Sequence, residues 1–415
     1  MRLAVRFALA VPLLATLSGA ARADGLVITV DFAEDLPDEI LNDSLADAQS
    51  AEPGSQTSLR AAVMLANHVA GPDTIIVPPG VWKLTNKGQD EEACVTGDLD
   101  VTDDLLILGT APEPGGKQDG SIIDGKKLKD HMFDVKEGVT LTLEGLTLRN
   151  GRAAPEQAGG LASVLGSLVL QQVEVRTCKA PAGGGAIHVP AGPGTVTADE
   201  VLFYKNKTDG SGGALAVEAG GQAQISSATF QKNHADGEGG SVDINGGIGT
   251  FTNVTFSANS AGQDGGAMRL HGSGVLTLVN VTSFANSCKE TSGLSALEIG
   301  VVNTALLRNT LFDDKGDRNS SGNIISLGGN LDSGTSCDLP AEDNLSGVQP
   351  KLLKLKNYGG FTPTHALDPE SPAIDSGTDP GCPAFDQRGM PRVDIEDVGP
   401  DAVSCDVGAF EYSDP

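Results

Sequence analysis

Between Gly159 and Gly322 apolar and polar residues alternate with a period of two, and the alternation is reset at regular intervals. In Gly213-Ala214-Leu215-Ala216-Val217 the larger apolar residues Leu215 and Val217 fall on one side. In Leu276 to Val281, Leu276, Leu278 and Asn280 share one face and Val279 and Val281 the other. Val, Ile, Thr and Phe dominate, as on a pleated surface, and no apolar i, i+3, i+4, i+7 pattern of useful length interrupts them. Each reset carries a doublet: Gly159-Gly160, Gly184-Gly185, Gly212-Gly213, Gly239-Gly240, Gly265-Gly266 and Ser292-Gly293, at steps of 25, 28, 27, 26 and 27 residues. That period predicts a solenoid, in which no repeat buries its own apolar face and each stacks on its neighbours. Helical repeat types are excluded because the units hold no helix. The fold class expected is all-β: a right-handed parallel β-helix with three short strands per coil. Coils about 4.8 Å apart, roughly eight or nine of them, make a rod on the order of 40 Å long.

Three columns should run along the rod. Gly160, Gly185, Gly213, Gly240 and Gly266 belong to tight corners, where a positive φ or a close backbone approach requires glycine. Asn recurs in register at Asn150, with Cys178 in the next coil, then at Asn206, Asn233, Asn259 and Asn286. Asn tolerates the left-handed region, and its amide can bond the matching amide one coil away, so a stacked ladder is expected. Phe203, Phe230 and Phe256 sit three residues before their Asn and should stack inside. The Phe then shifts by one, to Phe284.

Ahead of the repeats, Leu26 to Val30 reads as a strand and Asp31 to Thr57, with no Lys or Arg, as a solvated acidic loop. Thr57 or Ser58 caps a helix whose apolar face is Leu59, Ala62, Val63 and Ala66, ended by Gly71-Pro72. One amphipathic helix before a β solenoid reads as a cap over the first coil's open edge. Less regular coils open the solenoid, which spans 73–330 after an N-terminal unit at 24–72. Residues 331–415 form an irregular closing segment.

Composition narrows the classes. Aromatics are 4%, Gly numbers 54, net charge is −27 and pI is near 4.4. Such a chain is repelled by phosphate backbones and anionic lipid, so nucleic acid is excluded as a partner. Residues 1–23 read as a secretory signal: Arg2 and Arg6, an apolar run from Phe7 to Leu17, and Ala21-Arg22-Ala23. That run is too short to span a bilayer, so the mature chain is expected outside the cytoplasm with no membrane span. Six cysteines in an exported chain point to disulfides, with Cys382–Cys405 the first choice and Cys288–Cys337 the second. No Cys-x-x-Cys spacing occurs, which argues against a cysteine zinc site.

The stretch Thr57-Ser58-Leu59-Arg60-Ala61-Ala62, with Asn67, Asp73-Thr74-Ile75, Pro78-Pro79-Gly80 and Gly97-Asp98-Leu99-Asp100, resembles the CSLREA module of bacterial exported proteins. Thr57 stands where that module has Cys, and Ala61 where it has Glu. Thr362-Pro363-Thr364-His365, Ser371-Pro372-Ala373-Ile374-Asp375, Asp386-Gln387-Arg388-Gly389 and Asp406-Val407-Gly408-Ala409-Phe410-Glu411 resemble the choice-of-anchor Q module. The Gly-Gly-Ala-Ile and Phe-x-x-Asn units are similar to repeats of polymorphic outer-membrane proteins, which are adhesin-like. The resemblance implies an exported β-helix at the cell surface or beyond it.

Catalytic sets are sparse. Pectin hydrolases of this fold use an Asn-Thr-Asp and an Arg-x-Lys, and neither occurs here. Asp103-Asp104 is a paired acid ahead of the regular coils. Asp236, Glu238, Asp243 and Asp264, with Arg269, are the set weighed for calcium or lyase chemistry; otherwise no cofactor is expected. His188, His234, His271 and His365 are scattered, and Arg388 is expected to bond Asp375 or Asp406. The first expectation is a non-enzymatic surface or secreted protein, structural or adhesin-like, with polysaccharide as the ligand weighed. The alternative is a calcium-dependent polysaccharide lyase or glycoside hydrolase, which clustered acids beside a Lys or Arg would favour.

Overall fold

The computed structural model describes residues 25–413 except 42, 53, 90, 113–119, 290–293, 315–317 and 393–404. The leader read at 1–23 and the doublet Ser292-Gly293 lie outside the described residues. Every pairing between named strands is parallel, and the chain winds as a right-handed β-solenoid with one short helix near its start. One coil runs through Leu215–Val217, Gln222–Ser226, Thr229–Gln231 and His234–Ala235. Its strands pair with Val242–Asn245, Ile248–Thr252, Thr255–Ser257 and Ser260–Ala261 of the next. The three expected strands are therefore joined by a fourth, two residues long. The first strands stack into a nine-stranded sheet and the short ones into a five-stranded strip.

The glycine doublets form a column with two jobs. The first member has positive φ, from 51° at Gly184 to 74° at Gly159. The second lies against the next coil's backbone: a Cβ on Gly213 would sit 2.1 Å from the Gly240 carbonyl oxygen, and one on Gly240 2.1 Å from that of Gly266. Only hydrogen fits there.

The Asn ladder runs from Asn206 to Asn286. The backbone N–H and side-chain amide of Asn206 both donate to Asn233 Oδ1, at 2.9 and 3.1 Å, and Asn233 and Asn259 repeat the pattern. Cys178 donates its N–H to Asn206 Oδ1, and Asp314 closes the far end by accepting both Asn286 donors at 2.7 Å. Two expectations need correction. Asn150 is not a rung, because the pairing of Arg149 with Arg176 sets Gly151 opposite Cys178. The rungs are not left-handed either: the residue before each one is, at Thr177, Lys205, Lys232, Ala258 and Ala285, with φ of 55–57°. A second left-handed column, Gln172, Glu200, Ser227, Asn253, Asn280 and Asn309, turns the chain at the other corner. That corner resets the alternation, so Val281 is buried like Leu276 and Leu278 instead of facing away from them.

Phe203, Phe230 and Phe256 stack in the interior with ring centroids 4.5 and 4.9 Å apart. Ser283 takes the Phe256 position one coil on, which turns Phe284 outward against the His365 ring.

The helix, α1 (Leu59–His68), is N-capped by Ser58, which accepts from the Ala61 N–H. Leu59, Ala62, Val63 and Ala66 join the solenoid core. The segment before it is not a solvated loop: Leu36, Ala46 and Ala48 pack on Ala61 and Leu65. Arg60 is fully buried, bonding Asp35 at 2.7 Å and the carbonyls of Cys94, Gly97 and Asp98.

The closing segment does more than end the stack. Leu339 and Cys337 pack on the last coils, but the described residues 350–392 and 405–412 run back along the side of the rod as a strap. Outward Thr229, Thr255 and Thr282 form a rail for it. Gln387 bonds Thr229 and Thr255, and the Ala409 N–H donates to Thr282 Oγ1. Cys382 and Cys405 are bonded within the strap. The Cys288–Cys337 bond does not form. Cys288 pairs in register with Ala261 on the short strip, whereas the reduced Cys337 is buried under the last coils, accepting from the Ser320 hydroxyl. Arg388 bonds Asp386, not Asp375 or Asp406, and lies 3.7 Å over the Phe410 ring. Arg392 forms a buried pair with Glu411 at 2.7 Å.

Candidate functional site

On the nine-stranded sheet, side chains that point away from the core line up one coil above another. His188, Ala216, Asp243, Arg269 and Glu298 form one such row. Asn245 pairs with His271 in the next row, and Glu238 stands in the turn before Gly239. The period of two sends these residues outward, and the coil period brings together groups about 27 residues apart in sequence.

Arg269 bridges two layers. Its guanidinium contacts Glu238 and places Nε 2.9 Å from Glu298 Oε2. His271 Nε2 is 3.1 Å from Asp243 Oδ1, and the Asn245 amide donates to Glu218 Oε2 at 2.6 Å. These ion-paired side chains are only 9–24% exposed. Burial pushes the Glu218 carboxyl up, helped by Asp243 and opposed by Asn245 and His271. Burial also raises Glu238, with Glu298 and Asp243 adding to the shift and Arg269 and His271 opposing it. Two carboxyls biased toward the protonated form beside a His–Asp pair and an Arg can donate a proton and hold a developing charge.

The four acids weighed from sequence therefore part company. Glu238 and Asp243 join Arg269. Asp236 instead faces Lys207 and His234 on the short strip, and Asp264 accepts the Leu294 N–H. Asp103 and Asp104 brace backbone, accepting the N–H groups of Gly71 and Thr140. His188 stands half-buried in the charged row, with its pKa lowered by burial and by His131. His365 belongs to the strap and is buried between it and the rod, accepting from Ser257 and facing the Leu353 carbonyl, and burial lowers its pKa to about 4.

A second surface feature was not read from sequence. Lys129, Arg152 and Lys179 line a groove of about 480 Å³ over the short strip, with Ala153, Ala154 and Pro181 as its apolar wall and Asp209 as an acid at its edge. Arg152 pairs with Lys179, and Lys179 with Lys207, so three successive coils stack a cation in one column before it passes to His234, Ser260 and Ser287. Among the described residues Lys129, Arg152 and Lys179 make no ion pair. The only cue in the sequence was a basic residue at equivalent points of successive repeats.

No family model, no curated protein and no solved structure matches the chain. Among the described residues no helix is long and apolar enough to cross a membrane.

Proposed function

We propose that this chain is an exported β-solenoid that binds an anionic polysaccharide along its side. The observation that carries the reading is the basic groove of Lys129, Arg152 and Lys179 in a chain of net charge −27. Placed against so negative a background, the unpaired cations Lys129, Arg152 and Lys179 attract a polyanion to one strip, while the acidic surface elsewhere repels it. Arg152 and Lys179 stand one coil spacing of about 4.8 Å apart, which suits neighbouring anionic groups of an extended chain. Guanidinium and ammonium groups match carboxylate or sulfate, and the Ala and Pro wall suits sugar faces. Surface attachment of the adhesin-like kind follows from such binding.

A glycoside-cleaving reading is favoured by one observation, the Glu218, Glu238, Asp243, Arg269 and His271 cluster on the adjoining sheet. In that reading Glu238 acts as the acid and Asp243, set by His271, as its partner carboxylate.

Affinity electrophoresis and calorimetry against polygalacturonate, alginate and a sulfated glycan, with dextran as neutral control, test the binding. The wild type should bind at least one polyanion, more weakly as salt rises, and not dextran. Arg152→Glu with Lys179→Glu should weaken binding at least tenfold. Absence of polyanion binding, or binding untouched by the charge reversal, refutes the reading. Release of reducing ends, lost in Glu238→Gln, would establish cleavage.

A further inference from the structure

We infer that Asp98, His131 and Asp134 form a binding site for a first-row divalent cation, zinc or manganese, at the start of the solenoid. One ligand atom from each lies within 4.8 Å of the others. Register brings them together: Asp98 precedes the strand Leu99–Val101, and Asp134 lies on Phe133–Val135, which pairs with it coil on coil. His131 stands in the turn that leads into the second strand, one layer from the Gly159-Gly160 doublet.

Two further observations point to a cation. His131 is nine-tenths buried, with Nε2 3.1 Å from Asp98 Oδ2 and Nδ1 3.4 Å from Asp130 Oδ1, and neither contact is aligned as a hydrogen bond. A buried imidazole whose two nitrogens face carboxylates at ion-pair distance without an aligned hydrogen bond is placed as a metal ligand is. The second observation is charge. Asp98 and Asp100 are buried, Asp134 and Glu92 adjoin them, and among the described residues Lys136 is the lysine that pairs with this group. Its Nζ reaches Asp100 Oδ1 and Asp134 Oδ2 at 2.8 Å, leaving Asp100 Oδ2 and Asp134 Oδ1 buried without a hydrogen bond. A surplus of buried carboxylate is costly unless a cation answers it. His188, the other titratable group facing His131, adds no compensating partner in hydrogen-bond range. The mixed imidazole and carboxylate set selects zinc or manganese over calcium, which takes oxygen ligands. Bound there, the ion ties the first two layers of the nine-stranded sheet together.

The test uses the untagged, disulfide-intact chain, stripped with a chelator and dialysed. Calorimetry should give one equivalent of zinc or manganese per chain, and the ion should raise the melting temperature. Asp134→Asn and His131→Gln should each weaken binding at least tenfold, while His271→Gln binds as the wild type does. Circular dichroism shows which variants keep the β fold. The half-exposed Asp134→Asn, a near-isosteric change, keeps the test decisive if His131→Gln unfolds. Absence of stoichiometric binding by the folded wild type overturns the inference, as does equal binding by folded Asp134→Asn, or calcium bound at least as tightly as zinc and manganese.

Discussion

At the scale of single residues, Asp314 shows how the stack makes a polar interior tolerable. Asn206, Asn233, Asn259 and Asn286 each hand two donors to the next rung, so no amide in the run is left without a partner. The last acceptor is a carboxyl, and burial raises its pKa to about 7 against the pull of Ser283 and Asn286. The folded state thus holds this proton more tightly than the unfolded chain does. The stabilisation is fully present below the ordinary carboxyl pKa and is lost as pH rises from about 4 through about 7. Asp314→Asn keeps the acceptor for Asn286 and turns the other atom into a donor toward the Ser283 hydroxyl. Thermal denaturation should show the variant melting a few °C above the wild type at pH 8, with the gain gone near pH 4. A variant less stable than the wild type at pH 8 would contradict the role given to Asp314. The Asn recurrence was legible because one residue type repeats at one spacing. The left-handed corners were not: Gln172, Glu200, Lys205 and Ala258 carry no local preference for positive φ, and coil stacking imposes it.

At the scale of elements, what could be read from the chain was whatever each coil repeats. Gly doublets, Phe203, Phe230 and Phe256, and the Ser58 cap all follow local rules and stand where those rules place them. The strap is the opposite case. Thr229, Thr255 and Thr282 carry no mark that sets them apart from other strand threonines, and Gln387 lies 158 positions from the Thr229 hydroxyl that its amide reaches. No local signal encodes such a contact. The charged cluster on the nine-stranded sheet was half legible, since Glu238, Asp243, Arg269 and His271 stood out while Glu218 and their grouping depended on register across coils. Cys382–Cys405 closes a span of 23 residues, a constraint worth about 3 kcal/mol in the chain-entropy account. Asn280 and Asn309 donate to Cys405 Sγ from the rod itself. Cys382→Ser with Cys405→Ser should therefore loosen the strap and spare the coils. Limited proteolysis read by mass spectrometry should find new early cuts within 370–412 and an intact fragment through residue 330. Early cleavage inside the coils at the same rate would show that the strap holds up the rod.

At the scale of the whole molecule, one layer is laid on the next, and surfaces arise as columns. The inward columns make a continuous core from Val30 to Phe312. The outward columns separate by chemistry: acids with Arg269 and His271 on the nine-stranded sheet, cations on the short strip, hydroxyls under the strap. Every site proposed for this chain depends on that register, because each draws its residues from successive coils. Thr142 and Thr277 test it most directly. They stand in one column through Val169, Thr197, Gln224 and Thr250, five layers apart. Spin labels on Cys introduced at Thr142 and Thr277, measured by dipolar spectroscopy, should give one narrow distance distribution centred about 24 Å. A broad distribution, or a centre displaced by more than two layers, would contradict the stacked register and the surfaces built on it.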